Sequence, residues 1–146
     1  MEIDRNGLEI LDRTECLRLL GTATIGRVAI TFSALPVVLP VNFRLIDDHV
    51  VIGTGVGTKL GAAACNSVVA FEVDDIDPTT HGGWSVLVTG VAREVTDPAE
   101  RTRLQDQGLA RWAPKGGGRV IEISTEMVSG RRITPGPTLS PSAPAR

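Results

Sequence analysis

The chain has 146 residues, of which 42% are hydrophobic, 22% are charged and only 3% are aromatic, and it contains no tyrosine. This profile is typical of one ordinary globular domain, and the length excludes a two-domain enzyme with its own lid domain. The net charge of −2 provides no basic surface for nucleic acid or for an anionic membrane. The apolar runs are far shorter than the ~20 residues of a membrane-spanning helix, and the first residues lack the pattern of a secretion signal. We therefore expect a cytoplasmic protein with no membrane or nucleic-acid partner.

The first predicted element is a helix that begins after Asp12, because Glu15 three residues later gives a capping-box spacing, and that ends near Gly21. Farther along, apolar and polar residues alternate with a period of two between residues 28 and 45, which indicates two strands. Later segments between turn residues, one of them a nearly continuous apolar run over residues 68–73, indicate further strands. The predicted strands cover residues 28–32, 37–45, 49–54, 68–73, 84–95 and 119–124. Asp47 and Asp48 are predicted to turn the chain between the second and third of these strands. A short helix over residues 60–65 and a longer one over residues 98–110 interrupt the strands, and Asp97, Pro98 and Glu100 form a start signature for the longer helix.

The fold class that these elements predict is mainly β, within the α+β class. Six strands at hairpin spacing favour a small antiparallel barrel, with short flanking helices, over a doubly wound parallel sheet. Pro40 has no N–H to donate to a neighbouring strand, so its strand is expected at an edge or near a bulge. The last residues are rich in Pro, Ser and Gly, which predicts disorder. The predicted organisation is a folded domain over residues 1–133 and a disordered tail over residues 134–146.

The glycine-rich segment over residues 53–60, with the sequence GTGVGTKL, is the strongest candidate for a binding site. Its glycines allow backbone N–H groups to approach a phosphate, Thr54 and Thr58 provide hydroxyls, and Lys59 provides a positive charge. The segment matches neither nucleotide-binding glycine motif. A plain glycine-rich turn with a solvated lysine fits the same residues.

Two further segments of the sequence contain candidate site residues. Trp84 and Ser85 open the longest predicted strand, and Trp84 fits either a core anchor or the wall of a cofactor pocket. Arg131 belongs to a pair of arginines after the last predicted strand, where a solvated surface and an anion clamp are both open. Cys16 and Cys65 form no CxxC pair and are expected as small buried side chains, so no metal site is predicted. No side-chain pair for nucleophilic catalysis is visible.

Four segments in order carry a resemblance to a known family: LPVNFRLIDDHVVIGTGVGTKL, SVVAFEVDDID, GWSVLVTGVAREV and VSGR. Together they resemble the pyridoxamine 5′-phosphate oxidase-like proteins, especially the short bacterial members. The resemblance implies a split β-barrel that binds FMN non-covalently at a homodimer interface. It also implies the cofactor-binding residues. These are the backbone of Val41 and Asn42 along the flavin ring, Thr54, Thr58 and Lys59 at the phosphate, Trp84 and Ser85 beside the cofactor, and Arg131 from the partner chain.

The activity that the resemblance implies is that of a flavin-dependent oxidoreductase acting on a small molecule, with the redox chemistry supplied by the cofactor. The chain lacks the tyrosine and the extended termini of the family's vitamin-processing enzymes, so oxidation of pyridoxamine phosphate is not expected. Two alternatives remain. One is a reductase that uses a deazaflavin in place of FMN, and the other is a flavin-sequestering module without turnover.

Overall fold

The structure, a computed structural model, describes residues 1–55, 58–108 and 118–135, except for the side chain of Lys59. The predicted end of the third helix near residue 110 and the predicted disorder of residues 136–146 lie outside the described residues. The elements, in chain order, are β1 Glu2–Ile3, β2 Glu9–Leu11, α1 Arg13–Thr22, β3 Ile25–Phe32, β4 Leu35–Ile46, β5 His49–Thr54, α2 Lys59–Ala64, β6 Ser67–Ile76, β7 Gly83–Glu94, α3 Pro98–Asp106, β8 Arg119–Ile123 and β9 Met127–Ile133.

The helix starts follow from side-chain caps that the sequence predicts. The Asp12 carboxylate accepts a hydrogen bond from the Glu15 N–H at 2.8 Å, and this bond satisfies a backbone donor that has no partner inside α1. The Asp97 carboxylate caps α3 in the same way through the Glu100 N–H at 3.0 Å. The end of α1 differs slightly from the prediction, because the helix continues through Gly21 to Thr22.

Two tight turns build the β3–β4–β5 meander. Asp47 and Asp48 connect β4 to β5 with φ of 51° and 59°, and Ser33 and Ala34 connect β3 to β4 with φ of 50° and 64°. Positive φ at both central residues matches the twist of the flanking strands in a two-residue hairpin. Aspartate tolerates this conformation because its short side chain can hydrogen-bond locally, so the predicted turn at residues 47–48 is confirmed.

Six strands close into an antiparallel barrel, which confirms the predicted fold class. Around the barrel, β3 pairs with β4, β4 with β5, β5 with β8, β8 with β7, β7 with β6, and β6 again with β3. These are the six strands that the sequence predicts. Inside the barrel, Phe43 and Phe71 pack edge to face with ring centroids 4.8 Å apart, and both rings are fully enclosed by the core.

The barrel is split along β7, and this feature adds strands that the sequence analysis missed. Residues 92–94 of β7 pair with β8, whereas residues 83–89 pair with β9. β9 then continues outward to β2 and β1, which gives a nine-stranded sheet among the described residues. The prediction that the strand over residues 119–124 is the last one is therefore wrong: the arginine pair lies inside β9, because this segment has the open side of β7 as its partner.

Candidate functional site

The candidate site lies at an open edge of β4. Residues 35–42 of this strand pair with β3 only, since the ladder to β5 begins at Phe43. Pro40 lies in this one-sided stretch, where its missing N–H removes no bond to a second neighbour. The prediction that Pro40 marks an edge is confirmed, and the same edge leaves room for a ligand.

A cavity of about 510 Å³ opens beside this edge. It is lined by Leu39, Pro40, Val41, Asn42, Gly53, Thr54, Gly55, Thr58 and Leu60. The structure thus brings together four of the predicted cofactor-binding residues, which come from β4, from the end of β5 and from the start of α2. None of the described side chains that line the cavity is ionisable, so its walls are apolar with hydroxyl and amide groups at a few points.

Thr54 is the most informative residue in this cavity. Its side chain is only 4% exposed, and its Oγ1 has no hydrogen-bond partner in the part of the chain that the structure describes. A buried hydroxyl without a partner costs about 1–3 kcal/mol, so native proteins rarely retain one. A ligand that offers a hydrogen-bonding group at this point would remove that cost.

Thr58 and Gly61 form the neighbouring wall. The Thr58 hydroxyl caps α2 by accepting a hydrogen bond from the Gly61 N–H at 3.2 Å. A Cβ atom at Gly61 would lie 3.5 Å from both the Thr54 and the Thr58 hydroxyl oxygens, so both hydroxyls face the same glycine. Lys59 begins α2 directly after Thr58, and its side chain lies outside what the structure describes.

Three other predicted residues lie away from this cavity. Trp84 packs against the hydrophobic core of the same chain. Ser85 is its neighbour on β7 and therefore points to the opposite face of the sheet. Arg131 is the Cα partner of Ser85 on β9, so these two residues share the outer face. Within one chain, Trp84, Ser85 and Arg131 are not brought to the cavity that Thr54 and Thr58 line.

The Arg131 guanidinium has local partners in this structure. Its Nε donates to an Asp4 carboxylate oxygen at 3.0 Å, and its Nη1 donates to the Gly130 carbonyl at 2.9 Å. Hydrogen bonds from the Leu8 and Asn6 N–H groups and from Arg131 lower the pKa of Asp4. The Arg131 guanidinium therefore connects the N-terminal turn to β9.

Sequence reasoning missed a charged cluster on the outer face of β3 and β6. Glu72 and Asp74 are two residues apart on β6 and thus share a face, and Arg27 of β3 lies 3.5 Å and 3.3 Å from their carboxylates. Burial raises the pKa of Glu72 to about 7, and a hydrogen bond with Asp74 adds to this rise. The alternation of β6 could have placed the two carboxylates together, whereas the approach of Arg27 depends on the β3–β6 register.

Within the described ranges, no group of three or more His, Cys, Asp or Glu side chains could hold a metal ion. No helix in those ranges is both long enough and apolar enough to span a bilayer.

The comparisons with known proteins agree with this fold. The family model described as pyridoxamine 5′-phosphate oxidase matches residues 12–132. The protein Rv0080 of Mycobacterium tuberculosis is 42% identical over an alignment of 128 residues, and the match covers 84% of this chain and 84% of the relative. An FAD-binding protein of Mycobacterium smegmatis is 37% identical, with a TM-score of 0.78, over 88% of this chain and 100% of its own. An FAD-binding protein of Mesorhizobium loti is 26% identical, with a TM-score of 0.69, over 87% and 99%.

The fold is therefore the split β-barrel that the resemblance of the sequence motifs implied, with a cavity beside its open strand edge. The match over residues 12–132 places this chain in the pyridoxamine 5′-phosphate oxidase family.

Proposed function

We propose that this protein is an oxidoreductase that acts on a small molecule and binds FMN non-covalently in the cavity beside β4. The observation that carries the proposal is Thr54, which lines that cavity and whose buried hydroxyl has no described partner. The family membership supports a flavin, and the names of the M. smegmatis and M. loti relatives specify FAD, so FAD has to be tested beside FMN.

The lining of the cavity fits the two chemical parts of a flavin, the flat ring system and the phosphate arm. Leu39, Val41 and Leu60 offer apolar surface suited to a flat ring system, and the hydroxyls of Thr54 and Thr58 suit a polar phosphate arm. We assign Lys59 to the phosphate as well, on the basis of its sequence position. The bound flavin would supply the redox chemistry, while the chain would bind the cofactor, orient it and exclude water from it.

The first experiment is the visible absorption spectrum of the purified protein, followed by denaturation and identification of any released chromophore. The apoprotein is then titrated with FMN, FAD and a deazaflavin. Stoichiometric FMN with the lowest Kd supports the proposal. Preference for FAD or for the deazaflavin keeps the site and changes the cofactor, and binding of none of the three overturns the proposed function.

The Lys59 assignment has its own test. Lys59→Ala should weaken flavin binding by about 1.5–3 kcal/mol, the range for a hydrogen bond to a charged group. Arg18→Ala is the matched control, because Arg18 is an exposed cation on α1 that pairs with Glu15. Equal Kd values for both variants and the wild type would remove Lys59 from the phosphate site.

One observation favours a second candidate function, a flavin-sequestering module without turnover. The described side chains that line the cavity include no acid or base that could transfer a proton to a substrate. Stopped-flow kinetics separates the two candidates. An oxidoreductase should reoxidise its reduced flavin with a genuine acceptor faster than free reduced flavin reacts, whereas a sequestering module should show equal or slower rates across a broad acceptor panel.

The proposed site is completed by a second copy of the chain. Ser85 and Arg131, expected beside the cofactor, lie on the outer face of the sheet, while Asn42, also expected beside it, lines the cavity. In a homodimer packed through this face, Ser85 and Arg131 of one copy could approach the cavity of the other. Trp84 would then support β7 from the core side.

The outer face also carries the apolar surface that such an interface needs. Large hydrophobic side chains on it are 44–69% exposed; they are Val38, Val68, Leu87, Val91 and Met127. Three of them border a cavity of about 450 Å³ whose rim includes polar residues. Contiguous exposed apolar patches with polar rims are typical of protein interfaces.

Light scattering tests the dimer directly. The expected mass is twice the chain mass of 15.5 kDa. Leu87→Asp should shift the protein to the monomer and weaken flavin binding at the same time. Ile3→Asp is the control, since Ile3 is 59% exposed but lies on β1, outside this face. A monomeric wild type that binds flavin tightly would contradict the shared site.

We retain a cytoplasmic location as part of the proposal. It agrees with Cys16 and Cys65, which are both free thiols in the structure, because a reducing compartment maintains thiols in this form.

A further inference from the structure

Arg119 is a residue that neither the sequence motifs nor the cavity lining singles out. It begins β8 and is the Cα partner of Thr54 on β5, so its backbone lies beside the buried hydroxyl of the candidate site. Its side chain is partly exposed and also contacts α2. The guanidinium Nη1 donates a hydrogen bond to the Gly61 carbonyl at 2.8 Å, across 58 residues of sequence.

This contact attaches β8 to the short helix that forms one wall of the cavity. α2 has only six residues, and a helix of this length has little stability of its own in water. Its position must therefore come from tertiary contacts. The buried side chains of Leu60 and Ala64 provide the apolar part, and the Arg119 guanidinium provides a directed polar contact.

Gly61 connects Arg119 to the cavity wall through its two backbone groups. Its carbonyl accepts from Arg119, and its N–H donates to the Thr58 hydroxyl at 3.2 Å. A Cβ atom at Gly61 would lie 3.4 Å from the Arg119 Cδ and 3.5 Å from the hydroxyl oxygens of Thr54 and Thr58. The three side chains therefore converge on one face of this glycine, whose carbonyl accepts both from Arg119 and from the Cys65 thiol, the latter at 3.0 Å.

We infer that Arg119 is a positioning residue for the candidate cofactor site, which it serves by fixing the Gly61 peptide and through it the Thr58 hydroxyl. This inference rests on the proposed function. Arg119 acts through α2 and not by contact with the cofactor. A second contact, from Arg119 Nη1 to the Cys65 Sγ at 3.6 Å, lies at the other end of the same helix and holds it in the same orientation.

The test compares Arg119→Met, Arg119→Lys and the control Arg103→Met. Arg103 is an arginine of α3 that pairs with Glu100 and Asp47, away from α2. Each protein is titrated with the flavin that the wild type binds, and the visible circular dichroism of the bound flavin is recorded, because this signal reports the geometry around the ring. The unfolding free energy of each apoprotein is measured in parallel.

Arg119→Met should raise the flavin Kd about tenfold, which corresponds to the loss of one charge-assisted hydrogen bond of about 1.4 kcal/mol. It should also change the visible circular dichroism of the bound flavin. Arg119→Lys should restore most of the affinity, because an ammonium group can donate to the same carbonyl. Arg103→Met should leave both the Kd and the circular dichroism at wild-type values.

The outcomes separate the inference from the proposed function. If the wild type binds no flavin, the proposed function fails and takes this inference with it. If the wild type binds flavin and Arg119→Met has the same Kd and spectrum, only the role of Arg119 is overturned, even when the variant is less stable. If Arg119→Met does not fold, the test uses Arg119→Lys, for which both the flavin Kd and the hydrogen-exchange protection of the α2 amides are measured. Wild-type affinity in a variant whose α2 amides are unprotected would refute the positioning role.

Discussion

Replacing Thr54 by valine should have opposite effects on stability and on ligand binding. Valine has nearly the shape of threonine but lacks the hydroxyl that is buried without a described partner. Removing such a group recovers its desolvation cost, so the free energy of unfolding of the apoprotein should rise by about 1–3 kcal/mol. In a chain of 146 residues each kcal/mol corresponds to about 2–4 °C in Tm.

The flavin affinity should fall in the same variant. If the Thr54 hydroxyl bonds to a charged phosphate oxygen, its loss costs about 1.5–3 kcal/mol, or about 10- to 150-fold in Kd. Thr54→Ser retains the hydroxyl and should retain the affinity. The signs of the two effects differ because the hydroxyl acquires its partner only with the ligand.

The chain offers a matched control in Thr125, which is 3% exposed and thus as buried as Thr54. The Thr125 hydroxyl donates to the Asp48 carbonyl and accepts from the Arg13 guanidinium at 3.2 Å. Thr125→Val leaves these groups without their partner and should lower the free energy of unfolding by about 1–3 kcal/mol.

Urea unfolding of the apoproteins and fluorescence titration with flavin provide both quantities. The reasoning about Thr54 would be refuted if Thr54→Val lost stability as Thr125→Val does, or if its flavin Kd equalled that of the wild type.

Two further predictions concern the barrel itself. Burial raises the pKa of Glu72 from 4.5 to about 7, so between these pH values the folded state retains a proton that the unfolded state has released. The stability that the protonated Glu72 contributes is therefore lost as the pH rises from 4.5 through 7. Glu72→Gln should flatten the fall in urea midpoint between pH 5 and pH 8, and an unchanged slope would count against this role of Glu72. Gly26→Ala would place a Cβ 2.3 Å from the buried ring of Phe71 and should destabilise the protein by about 1–3 kcal/mol, whereas Gly21→Ala in α1 meets no atom within 4 Å and should stabilise it by about 0.5–1 kcal/mol. Differential scanning calorimetry on both glycine variants checks this, and equal Tm changes would contradict it.

Much of the barrel could be predicted from local sequence signals. Alternation over residues 28–45 and later apolar segments between turns indicated its six strands, and capping signals at Asp12 and Asp97 indicated the starts of two helices. These signals act over a few residues, so they are readable without the fold. The glycine-rich segment also stands out in the sequence, because its hydroxyls and glycines lie next to each other in the chain, and residues of this segment line the cavity beside β4. The roles of its residues toward a cofactor remain predictions.

Long-range pairing decided the remaining features. β9 was missed because its strand character depends on the open side of β7, more than 30 residues away in sequence. No local pattern distinguishes the Thr54 hydroxyl, which lacks a described partner, from that of Thr125, which has two. The contact between Arg119 and Gly61 likewise depends on how β8 and α2 are brought together.

The sequence by itself therefore determined the type of fold, the six barrel strands and the segment in which a phosphate-binding group is expected. Only the tertiary structure decided which side chains share a cavity, which hydroxyl is buried without a partner among the described residues and how the sheet face around Arg27 and Glu72 is charged. The physical reason is that alternation and capping are properties of neighbouring residues, whereas burial and pKa depend on what the rest of the chain places around a group.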